Sequence, residues 1–248
     1  EDLLLPLNEL SEDSSTLLQG YAAAQPRVTN RSHLIPYYHV LGRNGKVPLL
    51  RTLVVGGWYG DERGVVYGLT RLIATLEARF QLFDGIEATI YPVLNVDARQ
   101  ARVTLTDDQI GQEIRPWHQS SLRHVQVIER ELWRYDYDLV LNLSERSGQS
   151  TFSTAAWTVN AAQSAVLHRT FSQLKQADHA LDWQIDPTSP ISGLSRLLTP
   201  VPDRVKQPAE VAIGLPAALK IEQLAEETIG IILSVMHAFR EARSGGEL

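Results

Sequence analysis

The sequence contains no cysteine, which excludes disulfide bonds, thiolate zinc sites, iron–sulfur clusters and cysteine nucleophiles. It also has no apolar run approaching the roughly 18 residues that span a bilayer. Neither sign of charge dominates, since 23 lysines and arginines stand against 29 aspartates and glutamates, a formal net charge of -6. A basic face for nucleic acid or for an anionic membrane is therefore not expected. We expect a soluble, cytoplasmic protein, with the periplasm also open.

What is present is a chain of 248 residues, 44% of them hydrophobic, which suffices for one large core. Short β-branched runs alternate with stretches whose apolar residues recur at helical spacing. The runs predict strands at 52–57, 86–93, 138–143 and 208–213, and the stretches predict helices at 64–80, 120–133, 161–174 and 217–243. This order predicts a single α/β domain with a mixed, mostly parallel, twisted sheet between helices.

Two further predictions concern the N-terminal part of the chain. Residues 1–32 are expected to form a helical or irregular segment, with one short helix near 11–21, ahead of a domain over 33–244. Residues 34–41 and 47–55 flank the turn sequence Gly42-Arg-Asn-Gly45, which is typical of a β-hairpin. We therefore expect these two strands to pair with each other in antiparallel fashion.

Ligands of open parallel sheets collect beyond the carboxyl ends of the strands, and four polar or glycine-rich segments follow predicted strands here. The segments are Gly56-Gly-Trp-Tyr-Gly-Asp-Glu62, Leu94-Asn-Val-Asp97, Asn142-Leu-Ser-Glu145 and Ala212-Ile-Gly-Leu-Pro216. Their order and spacing over about residues 33–240 resemble the zinc carboxypeptidase family. That family includes murein peptide amidases and, more distantly, the succinylglutamate desuccinylases and aspartoacylases. The resemblance implies the fold of that family and a metal-dependent amide hydrolase ancestry.

The same resemblance implies that the zinc site is lost. The family binds zinc through the His and Glu of Gly-Gly-x-His-Gly-Asp-Glu and the His of Asp-Leu-His-Glu, positions that correspond to Tyr59, Glu62 and Ser144. Only Glu62 is a retained ligand, and the catalytic Glu of the late strand corresponds to Ala212. A serine hydroxyl and a phenol with a pKa near 10 are poor zinc ligands. We expect no metal and no cofactor, with zinc possible only if the site has been rebuilt around Glu62.

Other residues could still act in this cleft. Glu210 lies two residues before Ala212 and so on the same strand face, which makes it a weak catalytic candidate together with Ser144. Ser144 lacks both the Gly-x-Ser-x-Gly turn and a neighbouring histidine. By the resemblance, Arg115 would grip a terminal carboxylate and Arg102 would polarise the scissile carbonyl, although both could equally be solvated loop cations. The predicted pocket comprises Tyr59, Asp61, Glu62, Asn95, Arg102, Arg115, Ser144, Glu145 and Ala212.

The seven histidines offer no replacement metal motif. His39 is expected in a strand, His124, His168 and His237 on helices, and His118 is the one histidine expected in a loop at the active face. Three functions remain open on this reading. The first is a non-hydrolytic protein whose cleft binds a small carboxylate, a peptide, an acyl amino acid or a protein partner. The second is an amide hydrolase with an altered metal or serine-based site. The third is a scaffolding subunit with a vestigial pocket.

Overall fold

A computed structural model describes residues 4–23, 34–42, 50–104, 122–146, 151–158, 161–176, 182–185 and 208–245. These ranges form an α/β domain around one eight-stranded mixed sheet. The strands are β1 (Leu17–Ala23), β2 (Leu34–Leu41), β3 (Leu50–Val55), β4 (Ile86–Tyr91), β5 (Leu139–Arg146), β6 (Ser153–Trp157), β7 (Asp182–Ile185) and β8 (Ala209–Pro216). The helices are α1 (Leu5–Asp13), α2 (Arg63–Ala78), α3 (Val96–Ala101), α4 (Arg123–Arg134), α5 (Ala161–Gln176) and α6 (Ile221–Ser244).

The centre of the sheet is parallel. Its order is β1-β2-β4-β3-β5-β8-β6-β7, and β4, β3, β5 and β8 run in the same direction. Antiparallel pairs join β2 to β4 and β6 to β8, so the parallel core is flanked by mixed edges. The predicted fold class is thereby confirmed. The carboxyl ends of β3, β4, β5 and β8 all lie at one edge of the sheet, where the four motif segments follow.

Two apolar cores cover the two faces of the sheet. The larger core packs α1, α2, α5 and α6 against one face, through residues such as Leu69, Phe171 and Phe239. The smaller core packs α4 against the other face, through Val125, Ile128 and other residues. Side chains alternate along each strand, so consecutive residues of β5 point into different cores. This alternation decides which motif residues line a cleft and which face α2.

The predicted hairpin is wrong. β2 pairs with β4 and β1, whereas β3 pairs in parallel with β4 and β5. The turn sequence at Gly42 is typical of hairpins, but β4 occupies the place beside both strands. Buried β-branched residues of β4, such as Ile90, bury more apolar surface there than a local hairpin would offer. Long-range pairing therefore overrides the local turn signal.

The helix expected near residues 11–21 is also wrong. The helix ends at Asp13, and residues 17–23 form the edge strand β1, paired along its length with β2. Leu17 is buried whereas Leu18 is 50% exposed, a half-buried pattern that suits an edge strand. The N-terminal segment is thus continuous with the sheet.

The terminal helix α6 packs as a core element. Leu224, Ile232 and Met236 are buried, and Ile229 and Leu233 are partly buried against the same core. Among the apolar residues of this helix, Ile221 at its start is the one that is exposed. The apolar stripe predicted from the sequence therefore faces the sheet. Across the described residues, no helix is long and apolar enough to cross a membrane.

Candidate functional site

The loop after β3 turns sharply to place its polar residues at the edge of the sheet. Gly57 has a φ of +65°, a left-handed conformation that favours glycine, and a Cβ there would lie 2.7 Å from the carbonyl oxygen of Pro92. The Gly57 carbonyl accepts hydrogen bonds from the backbone N–H groups of Leu94 and Asn95. The loops after β3 and β4 are therefore bonded to each other where two motifs meet.

Glu62 is buried, with 2% of its surface exposed, and its carboxylate is held by main-chain donors. The backbone N–H of Tyr59 donates to Oε2 at 3.1 Å, and the backbone N–H of Glu145 donates to Oε1 at 2.9 Å. Glu62 itself immediately precedes α2. Its side chain thus joins the loop after β3 to the end of β5.

Glu145 makes the reciprocal connection. Its Oε2 accepts the backbone N–H of Gly64, in the first turn of α2, at 2.9 Å. The first N–H groups of a helix lack partners within the helix and carry partial positive charge, so a carboxylate is favourable there. A Cβ on Gly64 would contact Glu145 and Leu224 at prohibitive distances, so glycine makes room for this contact. We call the two crossed carboxylates of Glu62 and Glu145 the carboxylate brace.

Burial changes the acidity of both members of the brace. It raises the pKa of Glu62 from 4.5 to about 8, because loss of water outweighs the backbone hydrogen bonds that favour the charged form. Burial also raises the pKa of Glu145, against the opposing effect of hydrogen bonds from Gly64 and Val65. The proximity of the two carboxyls adds to the rise at Glu62.

Three of the predicted pocket residues make contacts that support this loop. Asn95 is buried and caps α3, accepting the backbone N–H of Ala98 and donating to the carbonyl of Trp58. Asp61 is exposed and accepts a hydrogen bond from the hydroxyl of Thr104. Tyr59 is half-buried, and its side chain packs against the smaller core. All three lie close to Glu62 in the chain or in space, as the motif order predicted.

Ser144 and Ala212 lie on the sheet face opposite α2. Ala212 is paired between Asn142 of β5 and Ala155 of β6, and Ser144 follows two residues after Asn142 on the same face. Ser144 is half-buried and makes no side-chain hydrogen bond within the described ranges. Glu210 lies on this face too, two residues before Ala212, but it is fully buried beside Trp157. Glu210 therefore lies on the same strand face as Ala212, as expected from the sequence.

One cation that acts on the brace is Arg99, a residue that the sequence motifs did not single out. Arg99 lies in α3, its guanidinium is 3.4 Å from the carbonyl oxygen of Gly60, and its charge lowers the pKa of Glu145. Arg102 ends α3 in a left-handed conformation with a φ of 57° and is exposed. Arg115 and His118 lie outside the described residues. Arg99 lies within α3, whereas Arg102 is the left-handed residue that caps its C-terminus, so the two arginines are not equivalent in spite of their three-residue spacing.

Trp58 and Asn142 form a second contact that the motifs did not reveal. The indole Nε1 of Trp58 donates to Oδ1 of Asn142 at 2.7 Å, and both side chains are buried. The imidazole of His124, on α4, meets the Trp58 ring edge-on at 5.9 Å between centroids. A tryptophan at the variable position of Gly-Gly-x was the one signal of this contact in the sequence.

Among the described residues, the three positions that the resemblance assigns to zinc do not fit a catalytic zinc ion. Such a site needs three imidazole or carboxylate ligands around an open position. Tyr59 and Ser144 offer hydroxyl groups, and each oxygen of Glu62 already accepts a backbone hydrogen bond. No group of three histidine, aspartate or glutamate side chains suited to a metal occurs in the part of the chain that the structure describes. His39, His124, His168 and His237 lie on the strand and helices predicted for them.

Comparison with known proteins supports the architecture. No protein-family model matches the chain, and no curated protein matches its sequence. A metallo-carboxypeptidase from Burkholderia cenocepacia superposes with a TM-score of 0.70 at 10% identity, over 96% of this chain and 67% of that one. An aspartoacylase family protein from Mesorhizobium loti gives 0.59 at 18% identity, over 89% and 68%.

A succinylglutamate desuccinylase/aspartoacylase from Rhodobacter sphaeroides gives a TM-score of 0.60 at 20% identity, over 91% of this chain and 66% of that one. The chain thus spans about two thirds of the length of these three proteins. Their folds agree with the resemblance drawn from the motif order. The chain therefore has a zinc-carboxypeptidase-like fold.

Proposed function

We propose that this protein is a non-hydrolytic relative of the zinc carboxypeptidases that binds a peptide or an acyl amino acid at the carboxyl edge of its sheet. The observation that carries the proposal is the carboxylate brace. Glu62, the one side chain retained from the family's zinc ligands, is used to hold the backbone of Tyr59 and Glu145. Three further substitutions, at Tyr59, Ser144 and Ala212, remove the remaining ligands and the general base that the resemblance implies.

The sheet face around Ala212 suits recognition better than reaction. Ala212 and Ala155 pack with Trp157 in a small buried apolar cluster on this face, and Ser144 supplies a half-buried hydroxyl on the same face. The Trp58 indole, fixed by Asn142, offers an apolar neighbour of the kind that binding sites use. Arg99 supplies positive charge near the brace for a carboxylate ligand.

The alternatives have weaker support. A serine hydrolase needs a base at Ser144, and no histidine bonds to its hydroxyl within the described ranges. Glu210 is on the correct face but fully buried. A surplus exposed apolar face on the terminal helix would favour a scaffolding role, but α6 packs most of its apolar stripe inward.

The first test is calorimetric titration of metal-stripped protein with zinc, with Glu62→Ala as the matched variant. We expect no stoichiometric binding at about micromolar zinc for either protein, because neither offers three ligands. Tight binding that disappears in Glu62→Ala would mean that the site has been rebuilt. Hydrolysis of N-acetyl amino acids by the zinc-loaded wild-type protein would likewise overturn the proposal.

A restored site provides the complementary test. The triple variant Tyr59→His, Ser144→His, Ala212→Glu recreates the ligands and base that the resemblance implies, and we expect it to gain zinc binding. Ser172→His, on the exposed face of α5, adds a histidine elsewhere and should gain none. If the triple variant folds but binds no better than the control, the assignment of these positions to the cleft is wrong.

A further inference from the structure

A separate cavity opens between α4 and the strands β1, β2 and β4. Its volume is about 530 Å³, within the range of small-molecule sites. Residues lining it include Tyr37, Tyr91, Tyr135, Tyr137, Arg130 and Arg134. None of the residues placed at the carboxylate brace or on the Ala212 face belongs to it. It is therefore distinct from the cleft considered above.

Tyrosine rings form the walls of this cavity. Tyr37 and Tyr91 lie with ring centroids 5.4 Å apart at 36°, and Tyr135 and Tyr137 lie 6.2 Å apart at 60°. Four aromatic side chains drawn from β2, β4 and the end of α4 thus converge on one space. Aromatic faces and edges favour a planar ring as the occupant.

The polar groups around this cavity differ in how well their hydrogen bonds and ion pairs are formed. The Tyr137 hydroxyl donates to Glu131 at 2.6 Å, and Glu87 is paired with Arg51 and His39. The Tyr91 hydroxyl is buried and makes no hydrogen bond of normal geometry among the described residues, although the charge of Glu131 and a side-chain hydrogen bond to it both raise the pKa of Tyr91. An unmade hydrogen bond of this kind is costly, so an acceptor that reached Tyr91 would gain from it.

The charges favour an anion. Arg51 and Glu87 form an ion pair, and beyond this pair Arg130 and Arg134 line the cavity with Glu131, whose carboxylate accepts the Tyr137 hydroxyl. Arg130 and Arg134 are one turn apart on α4 and exposed, and Arg134 lies over the Tyr135 ring at 5.4 Å. An aromatic cage without such cations would select quaternary ammonium groups, but two guanidinium groups at its edge oppose a cationic ligand.

We propose that this cavity is a binding site for a planar aromatic carboxylate. The ring lies between the tyrosines, the carboxylate meets Arg130 and Arg134, and a polar ring substituent accepts the Tyr91 hydroxyl proton. An arginine pair is well suited to hold a carboxylate in a fixed orientation. No bond is made or broken in this site.

The test uses 4-hydroxybenzoate as the probe, measured by calorimetry on the full chain. Three comparison compounds each change one feature and keep the hydroxyl group: 4-hydroxycyclohexanecarboxylate lacks the aromatic ring, 4-hydroxybenzamide lacks the charge, and (4-hydroxybenzyl)trimethylammonium reverses the charge. We expect 4-hydroxybenzoate to bind at least about tenfold more tightly than each of them. Equal affinities, preference for the cation, or no binding of either 4-hydroxybenzoate or 1-naphthoate at about 10 mM would overturn the proposal.

Variants then locate the binding. Arg130→Ala with Arg134→Ala should weaken 4-hydroxybenzoate binding at least about tenfold, whereas Arg71→Ala, an exposed arginine on α2, should leave it unchanged. Tyr91→Phe should weaken 4-hydroxybenzoate binding about fivefold and leave benzoate binding unaffected, because only the hydroxyl contact is lost. Unchanged thermal midpoints show that the variants are folded. Binding that persists in the double variant would contradict the assignment.

Discussion

The pH dependence of stability tests the account of Glu62 directly. Burial raises the pKa of Glu62 from 4.5 to about 8. Between these two pH values the folded protein therefore holds a proton that the unfolded chain has released. Unfolding then releases a proton, so raising the pH favours the unfolded state. The stabilising contribution is present in full at low pH and is lost as the pH rises through this window.

The magnitude is large enough to measure. Each pH unit within the window lowers the free energy of unfolding by up to about 1.4 kcal/mol, and the whole window by up to about 5 kcal/mol. No discount for solvent screening applies, because Glu62 is 2% exposed. A domain of this kind has a total stability of about 5–15 kcal/mol. The titration of one side chain is therefore expected to dominate the pH profile between about pH 5 and 8.

Glu62→Gln is the matched variant because it keeps the shape and removes the titration. Urea unfolding would be followed by the fluorescence of the five tryptophans at several pH values between about 5 and 8. The wild-type protein should lose stability with rising pH more steeply than the variant. Glu145 titrates in both proteins, so the difference between the profiles reports Glu62 together with its coupling to Glu145. Parallel profiles, or a wild-type stability that rises relative to the variant, would show that the backbone donors of Tyr59 and Glu145 keep Glu62 ionised.

Two further substitutions test the loop after β3. Gly57→Ala should cost about 2 kcal/mol or more of unfolding free energy, because an alanine would be strained at a φ of +65° and would meet the Pro92 carbonyl. Gly230→Ala, on α6 with open space around it, should be neutral or stabilising by up to about 1 kcal/mol, and equal costs would refute the argument. Trp58→Phe should cost about 1–3 kcal/mol in urea unfolding, because it removes the donor to the buried Oδ1 of Asn142. A cost similar to that of an exposed Trp133→Phe change would contradict this role.

The regular elements of this fold were predictable because hydrophobic periodicity reports local burial. The strands at β3, β4, β5 and β8 and the helices α2, α4, α5 and α6 follow from it, within a few residues at their ends. The position of β4 between β2 and β3 did not follow, because Ile90 and its neighbours reach their partners across tens of residues. The edge strand β1 was missed because only one of its faces is buried, which weakens its pattern.

The sequence predicted residues of the candidate site only where a motif fixes their position in the fold. The strand ends that carry Glu62, Ser144 and Ala212 are at the carboxyl edge because parallel strands end together. Arg99, and not Arg102, acts on the carboxylate brace because of the direction in which α3 points. The spacing of the two arginines in the sequence does not give that direction. No sequence motif marks the tyrosine cavity, because the residues that line it come from separate elements, which β1 and β4 bring together in the folded sheet.

The carboxylate brace has a consequence for how freely the cleft can vary. Its donors at positions 59 and 145 are main-chain N–H groups, so these two hydrogen bonds do not depend on which side chains stand at the two positions. The side chain at position 59 can therefore be exchanged while both hydrogen bonds to Glu62 are kept. The backbone hydrogen bonds at this edge of the sheet can be kept while the side chains there are changed. New binding specificities could be selected by randomising positions 59 and 144 together while Glu62 and Glu145 are kept.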